Sequence, residues 1–217
     1  MKIKSDKRDP KTESDHVVDP DADLVCRAKA RETQAFDVLV EKYEHKLYGL
    51  IFHMTSNSED SNDLLQDTFA KAYAALPGFR EDAQFYTWIY KIAVNLTLNH
   101  LKKKKRRQGC SYDDVESGVL NDPAFIDQAY QVNPRRFSNI HELHEKLNKA
   151  ILRLSEGHRS VVTMFDIQGM PHAEIGRVLG VSEGTVRSRL FYAHQQLQGY
   201  LKEFSGRQSD GSGVNLG

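Results

Sequence analysis

Residues 171–197 read PHAEIGRVLGVSEGTVRSRLFYAHQQL, which predicts two short helices joined by a tight turn. The first helix carries three apolar residues on one face: Ile175, Val178 and Leu179. Gly180 permits the turn, because glycine readily adopts the left-handed conformation that ends many helices. Ser182 is a suitable N-cap for the second helix. The pattern therefore predicts a helix-turn-helix.

The second helix of this pair separates an apolar stripe from a polar one. Its apolar residues follow one another at steps of four, three and four: Val186, Leu190, Ala193 and Leu197. The residues that fall off this stripe near the helix start have side chains that can contact bases and phosphates: Thr185, Arg187, Ser188 and Arg189. The spacing alone leaves open an ordinary helical hairpin with a solvated arginine face.

Helical periodicity also extends over the N-terminal half of the chain. Residues 32–54 carry apolar positions at steps of three and four, which predicts one amphipathic helix. A second helix, with Ser58 or Ser61 as its N-cap, runs to a Pro-Gly pair. A third begins at Phe85 and ends in a basic run. Because no alternating strand pattern competes, we predict an all-α fold.

The chain divides into two small helical domains and less regular segments. We predict the following boundaries: a disordered leader 1–20, a first domain 21–107, a flexible acidic linker 108–137, a second domain 138–204 and a disordered tail 205–217. A linker of about thirty residues is long for a loop inside one domain. After it, apolar spacing predicts one helix through Ile151 and another through Ile167, with Gly169 ending the latter and Pro171 in the first turn of the next.

The charges are unevenly distributed, although thirty basic residues balance thirty acidic ones. Residues 102–107 read KKKKRR, and residues 146–205 carry eight basic against five acidic residues. Acidic residues outnumber basic ones by twelve to eight in 21–101 and by seven to two in 108–145. The net charge of zero is therefore the sum of basic segments, which favour contact with nucleic acid, and acidic segments, which favour other contacts.

Several classes of protein are disfavoured by the sequence. It has no apolar run of about 18 residues and no secretory signal, so we expect no membrane span and a cytoplasmic location. Cys26 and Cys110 lack paired spacing, which disfavours a disulfide framework or a zinc site. His141 and His144 lie one helical turn apart without an evident third ligand. We therefore expect no metal, no cofactor and no enzymatic activity.

Two stretches of the chain resemble one protein family. They are residues 63–107, DLLQDTFAKAYAALPGFREDAQFYTWIYKIAVNLTLNHLKKKKRR, and the helix-turn-helix of residues 171–197. Together they resemble the extracytoplasmic function (ECF) group of bacterial sigma factors, the smallest members of the sigma-70 family. The resemblance covers roughly residues 21–204 and implies a sigma region 2 bundle and a sigma region 4 helix-turn-helix, joined by the acidic linker.

This resemblance implies a promoter-specificity subunit of RNA polymerase. Region 2 is expected to bind the clamp helices of the beta-prime subunit of core polymerase and to open the −10 promoter element. Region 4 is expected to read the −35 element and to contact the beta flap. Such factors are commonly held inactive by an anti-sigma protein, and the sequence leaves open whether one exists here.

The resemblance also assigns residues in region 2. A stripe of the second helix is implied to bind core polymerase: Asp63, Leu64, Gln66, Asp67, Phe69 and Lys71. The −10 element is implied to meet an aromatic and polar set: Phe79, Arg80, Gln84, Phe85, Tyr86, Trp88, Lys91 and Asn95. Aromatic rings can stack on unpaired bases while cations hold the backbone. Trp88 aligns with Ile92 and suits a core position equally well.

Two further sets of DNA contacts are expected. The basic run should lie on duplex phosphate: Lys102, Lys103, Lys104, Lys105, Arg106 and Arg107. The −35 element should meet the start of the last helix: Ser182, Glu183, Thr185, Arg187, Ser188, Arg189, Phe191 and Tyr192. Many relatives carry Arg where this chain has Tyr192 and His194, which implies weaker phosphate contact or a different −35 preference.

Two other functions compete with this interpretation. A stand-alone helix-turn-helix regulator would bind operators as a dimer, but it would leave the first helical block and its aromatic segment unexplained. A DNA-processing enzyme would need a metal or nucleophile constellation, and the spacing of residues such as Asp113, Asp114 and Asp122 in the linker offers no rigid scaffold for one.

Overall fold

The structure is a computed structural model that describes residues 19–80, 83–107 and 145–206, with side chains as far as residue 202. Every element within these ranges is helical, which confirms the all-α prediction. None of the described helices is long and apolar enough to span a membrane. The predicted linker, and most of the predicted leader and tail, lie outside the described residues.

Four helices form the N-terminal bundle. They are α1 (Ala22–Lys29), α2 (Thr33–Thr55), α3 (Ser58–Ala75) and α4 (Phe85–Arg107), with a 3₁₀ turn (Leu76–Gly78) after α3. Helix α2 packs against the other three helices. Its buried face repeats every three or four residues: Phe36, Leu39, Tyr43, Leu47, Leu50, Ile51 and Met54. This is the stripe that the sequence predicts.

The start of α3 differs from the prediction. Asn57 is the N-cap, because its side-chain oxygen accepts a hydrogen bond from the Asp60 backbone N–H at 2.8 Å. Neither Ser58 nor Ser61 has this role, and the buried Ser61 hydroxyl donates to the Asn57 carbonyl at 2.6 Å. Asn and Ser cap helices about equally well, so residue type alone could not choose among neighbouring candidates.

Two aspartates at the start of the described chain tie the bundle together. Asp19 accepts a hydrogen bond from the Phe85 backbone N–H at 2.7 Å and so satisfies a free donor at the start of α4. The buried Asp21 accepts hydrogen bonds from Tyr43 and Lys42 on α2. Burial, reinforced by the hydrogen bond to Asp21, raises the pKa of Tyr43. Asp19 therefore belongs to the fold, although we predicted it to lie in the leader.

The C-terminal bundle also consists of helices. They are α5 (the described residues 145–152), α6 (Glu156–Val162), α7 (His172–Leu179) and α8 (Glu183–Gly206). A π-helical turn (Thr163–Ile167) follows α6 where one continuous helix was expected. The extra residue in a π turn shifts the side-chain register. Met164 is therefore fully buried, whereas the half-buried Phe165 stacks on His172 with ring centroids 4.7 Å apart.

The two bundles share one continuous hydrophobic core. Helix α7 packs against α4, and the π turn packs against α2. Helix α7 is thereby brought against α4 of the N-terminal bundle, a contact between distant parts of the chain that no local pattern predicts. Helix α4, which also contacts α2 and α3, is consequently enclosed on several sides.

Candidate nucleic-acid interface

The orientation of α8 is set by its buried face, which leaves the opposite face exposed. Four apolar residues of the helix face the core, as predicted: Val186, Leu190, Ala193 and Leu197. Ser182 caps the helix, because its hydroxyl oxygen accepts a hydrogen bond from the Thr185 backbone N–H at 3.1 Å. Burial and capping together fix the direction in which the exposed residues of the first turns point.

Four of the predicted contact residues share this exposed face. They are Arg187, Ser188, Phe191 and Tyr192, and the last two are 65% and 52% exposed. The Phe191 and Tyr192 rings meet edge to face at 5.4 Å. Arg187 forms an ion pair with Glu183 one turn earlier, and this hydrogen bond lowers the pKa of the Glu183 carboxyl. The ion pair with Glu183 therefore holds the Arg187 guanidinium group in a defined position on the exposed face of α8.

Arg189 does not belong to this face. Its side chain is half-buried and lies beside Gly157 at the start of α6, where an added Cβ would be 3.8 Å from the Arg189 Cζ atom. Its packing against α6 sets it apart from Arg187, and its predicted base contact stays a prediction. Thr185 is also half-buried, and its hydroxyl lies 2.8 Å from that of Ser182.

The turn before α8 depends on two glycines. Gly180 has a φ of +66°, as expected for the residue that ends α7 in the left-handed conformation. Gly176 has no special dihedral, but a Cβ there would lie 2.9 Å from the Val181 carbonyl oxygen. The close approach of the turn to α7 therefore requires glycine. Sequence reasoning missed Gly176, because nothing local marks a contact with a residue five positions away.

The predicted polymerase stripe on α3 is largely exposed. Asp63, Gln66, Asp67 and Lys71 all face outward. Leu64 is only 5% exposed and Phe69 packs partly against the core, which removes Leu64 from the surface set. The Thr68 hydroxyl donates to the Leu64 carbonyl at 2.7 Å on the buried side. The outward face is thus polar, with two carboxylates, an amide and an ammonium group.

The aromatic set at the start of α4 divides between core and surface. Phe79 and Phe85 are 4% and 0% exposed, which corrects the prediction that they face DNA. The half-buried Trp88 packs on both, with ring centroids 4.8 Å and 5.6 Å away. Trp88 is therefore mainly part of this cluster. For Phe85 and Trp88 the reason is that α4 is enclosed by α2, α3 and α7, so that more than one stripe of it is buried.

The polar members of the same set remain accessible. Arg80, Lys91 and Asn95 are exposed, and Gln84 and Tyr86 are half-buried. Burial, together with the charge of Glu174, raises the pKa of Tyr86 to about 12. The Tyr86 ring lies 4.5 Å from that of the buried Tyr90. The surface is thus a group of polar side chains around one half-covered tyrosine.

The basic run forms the last turns of α4, as predicted. Lys102, Lys103, Lys105, Arg106 and Arg107 are exposed. Lys104 instead donates to Asp60 on α3 at 2.8 Å, and His100 lies 3.3 Å from the same carboxylate. Burial would raise the pKa of Asp60, but the hydrogen bond and charge of Lys104 outweigh it and lower that pKa. The Lys104 ammonium group is therefore engaged in an ion pair that joins α4 to α3.

Two profiles of one protein family match the two bundles. Sigma-70 region 2 matches residues 39–107, and Sigma-70, region 4 matches residues 144–197. The chain is 35% identical to the RNA polymerase sigma-H factor of Pseudomonas aeruginosa over 186 residues, which cover 84% of this chain and 94% of that protein. The chain belongs to the sigma-70 family. It is an RNA polymerase sigma factor of the ECF group.

Further relatives agree with this identification. The sigma factor is 34% identical to the ECF RNA polymerase sigma-E factor of Escherichia coli K12, over 80% of its own length and 90% of that protein. Its fold is similar to the solved structure of CnrH in complex with the cytosolic domain of CnrY. That comparison has a TM-score of 0.61 at 23% identity and covers 84% of this chain and 97% of that one. We use region 2 below for the bundle α1–α4, which contains the matched residues 39–107, and region 4 for the bundle α5–α8, which contains most of the matched residues 144–197.

Proposed function

We propose that this sigma factor directs core RNA polymerase to promoters with −10 and −35 elements. Region 4 would read the −35 element through the exposed face of α8. Region 2 would hold the opened −10 strand at the start of α4 through Arg80, Gln84, Tyr86, Lys91 and Asn95. The observation that carries this proposal is the α8 face, where Arg187 and Ser188 lie beside two exposed aromatic rings on a helix that is buried along its other side.

Core polymerase would bind the outward stripe of α3. Asp63 and Asp67 lie one turn apart with Lys71 a further turn on, and all three are exposed. We assign this stripe to the clamp helices of the beta-prime subunit, and region 4 to the beta flap. The sigma factor itself would carry no catalytic step, and it would act in the cytoplasm, where the polymerase works.

Run-off transcription tests this proposal directly. Purified core polymerase with the full-length sigma factor is expected to initiate at a defined set of genomic promoters, and mapping of start sites would give their shared −10 and −35 sequences. Core polymerase alone is the control. Failure to initiate at any promoter, with protection of an operator by the sigma factor alone, would instead support a stand-alone regulator.

The basic run allows a matched test of phosphate binding. Lys103→Ala should reduce the slope of log affinity against log salt for promoter binding by about 1, because one phosphate contact is lost. Lys104→Ala should change that slope less, since its ammonium group is engaged by Asp60. Binding of holoenzyme to promoter DNA at several salt concentrations measures both. Equal slopes for the two variants would contradict the assignment.

An anti-sigma protein is also proposed as a partner. One similar fold was solved as the sigma factor RpoE in complex with the anti-sigma factor NepR from Bartonella quintana, with a TM-score of 0.57 at 20% identity, covering 77% of this chain and 96% of that chain. The test is to purify the sigma factor from its own cells and to separate the fractions that contain no core polymerase. A protein that copurifies with the sigma factor in those fractions would be such a partner.

A further inference from the structure

The two ends of α1 are hydrogen-bonded to residues on either side of the segment that leads into α4. The ammonium group of Lys29, the last residue of α1, donates to the Phe79 carbonyl at 2.8 Å. The carboxylate of Asp19, just before α1, accepts a hydrogen bond from the Phe85 backbone N–H at 2.7 Å. The rings of Phe79 and Phe85 also meet, with centroids 6.2 Å apart. Helix α1 therefore holds the chain both before and after this segment.

Asp19 shares its carboxylate between two helices. One oxygen accepts the hydrogen bond from the Phe85 N–H, and the other accepts one from the backbone N–H of Asp21, the N-cap residue of α1, at 3.0 Å. The first N–H groups of a helix have no partner within the helix, and the helix dipole favours a negative charge beside them. One side chain thus joins the starts of α1 and α4.

The neighbouring Asp21 supports the start of α4 through a tyrosine. The Tyr43 hydroxyl on α2 donates to the buried Asp21 carboxylate. The Tyr43 ring packs against the rings of Phe85 and Tyr86, with centroids 5.7 Å and 6.2 Å away. The half-buried Tyr86, which we propose to hold the −10 strand, therefore rests on a ring that is itself fixed by a hydrogen bond.

The residues that α1 holds are next in the chain to proposed DNA contacts. The exposed Arg80 follows Phe79, and the half-buried Gln84 precedes Phe85. Phe79 and Phe85 are buried, so the hydrogen bonds of α1 act on backbone atoms of the core and not on the DNA-facing side chains. A surface that is ordered before its ligand arrives binds more tightly, because binding does not then have to order it.

We propose that Lys29 and Asp19 are positioning residues for the capture of the −10 single strand. They act through the Phe79 carbonyl and the Phe85 N–H, and they set the spacing of Arg80 relative to the start of α4 without contacting DNA themselves. This inference rests on the proposed function of region 2. It gives α1, which is outside the matched region 2 residues 39–107, a role in promoter opening.

Binding of a single strand by the holoenzyme tests the proposal. The probe is a fluorescein-labelled oligonucleotide with the non-template −10 sequence of a promoter mapped by run-off transcription, and fluorescence anisotropy gives its affinity. Lys29→Met should weaken binding by about tenfold, the size expected for loss of a hydrogen bond from a charged group. Lys29→Arg, which keeps a cationic donor, should largely restore the wild-type affinity.

Arg27→Met is the matched control for Lys29→Met. It removes the same charge from the same helix, and it breaks side-chain hydrogen bonds to Glu32 at 2.9 Å and Asp23 at 3.4 Å. It leaves the Phe79 carbonyl bond in place, so the affinity for the −10 strand should stay at the wild-type value. An equal loss in Arg27→Met and Lys29→Met would mean that general loosening of α1 or lost charge explains the effect, and would overturn the proposal.

Asp19→Ala gives a test of opposite sign. A carboxylate repels the DNA backbone, so its removal would by itself strengthen binding. Positioning predicts the reverse, a fall of about tenfold, because the Phe85 N–H loses its charged partner. Asp23→Ala, which removes an exposed carboxylate from the first turn of α1, should not lower the affinity. Unchanged or tighter binding by Asp19→Ala would overturn the proposal.

A double-mutant cycle separates positioning from direct contact with DNA. In a chain that already carries Arg80→Ala and Gln84→Ala, Lys29→Met should lower the affinity by much less than tenfold, because the side chains that it positions are gone. A direct contact from Lys29 would cost the same factor in both chains. An undiminished effect would therefore overturn the proposal.

The outcomes separate this inference from the proposed function. Helix content and binding to core polymerase are measured for each variant. Lys29→Met and Asp19→Ala break different bonds, so either variant that keeps both properties decides the question. Wild-type holoenzyme that neither initiates nor binds the −10 strand would refute the proposed function. Wild-type activity with equal −10 affinity in Lys29→Met and Asp19→Ala would refute only the inference.

Discussion

Arg187→Ala is expected to weaken promoter binding by about 1–3 kcal/mol, or roughly 5- to 150-fold in affinity, if the guanidinium pairs with a guanine edge. Arg187 is exposed in the first turns of α8 and is positioned by its ion pair with Glu183. The measurement is the affinity of holoenzyme for promoter DNA at fixed salt. We also expect preference at one −35 base pair to relax, which loss of a phosphate contact would not cause.

The control for this substitution lies on the same helix. Lys202→Ala removes an exposed cation fifteen residues further along α8, about 22 Å from Arg187. It should leave the base preference of the promoter unchanged. If Arg187→Ala and Lys202→Ala behave alike on promoters with altered −35 bases, Arg187 does not read sequence.

Gly176→Ala is expected to destabilise region 4 by up to about 2 kcal/mol. The added Cβ would meet the Val181 carbonyl oxygen at 2.9 Å, and forcing extra atoms into a packed site costs about 1–3 kcal/mol. The helix propensity of alanine returns only about 1 kcal/mol. Thermal unfolding followed by circular dichroism measures the difference. Promoter binding by this variant should also fall at temperatures at which the turn before α8 is displaced, because that turn positions the helix proposed to read the −35 element.

Gly199→Ala is the matched control, because it makes the same chemical change in a helix. Nothing lies within 4 Å of a Cβ at position 199, so alanine should raise stability by up to about 1 kcal/mol. Opposite signs for the two variants would show that the contact with Val181, and not helix propensity, dominates at Gly176. Stabilisation by both substitutions would refute this account.

Much of the fold could be predicted because helices are local structures. The periodicity of α2, the apolar stripe of α8 and the left-handed Gly180 all follow from residues within a few positions of one another. The short α1 escaped prediction, since eight residues provide little periodic signal. The π turn escaped it too, because one extra residue in a helix leaves the composition unchanged.

The candidate site was predicted less completely. Resemblance marked the right segments, but it could not distinguish the buried Phe79 and Phe85 from the exposed Lys91 and Asn95. A helical pattern shows one apolar face, whereas α4 is packed by α2, α3 and α7. The direction of Arg189 likewise depends on Gly157, which lies thirty-two residues earlier in the chain.

The sequence by itself determined the helices, the helix-turn-helix and the family, because each depends on spacing within a segment. Only the tertiary structure decided which aromatic rings are core, which lysine of the basic run is tied to Asp60, and how region 4 lies on region 2. These features come from contacts between residues far apart in the chain. Their free energies depend on shape and distance, which a linear pattern does not contain.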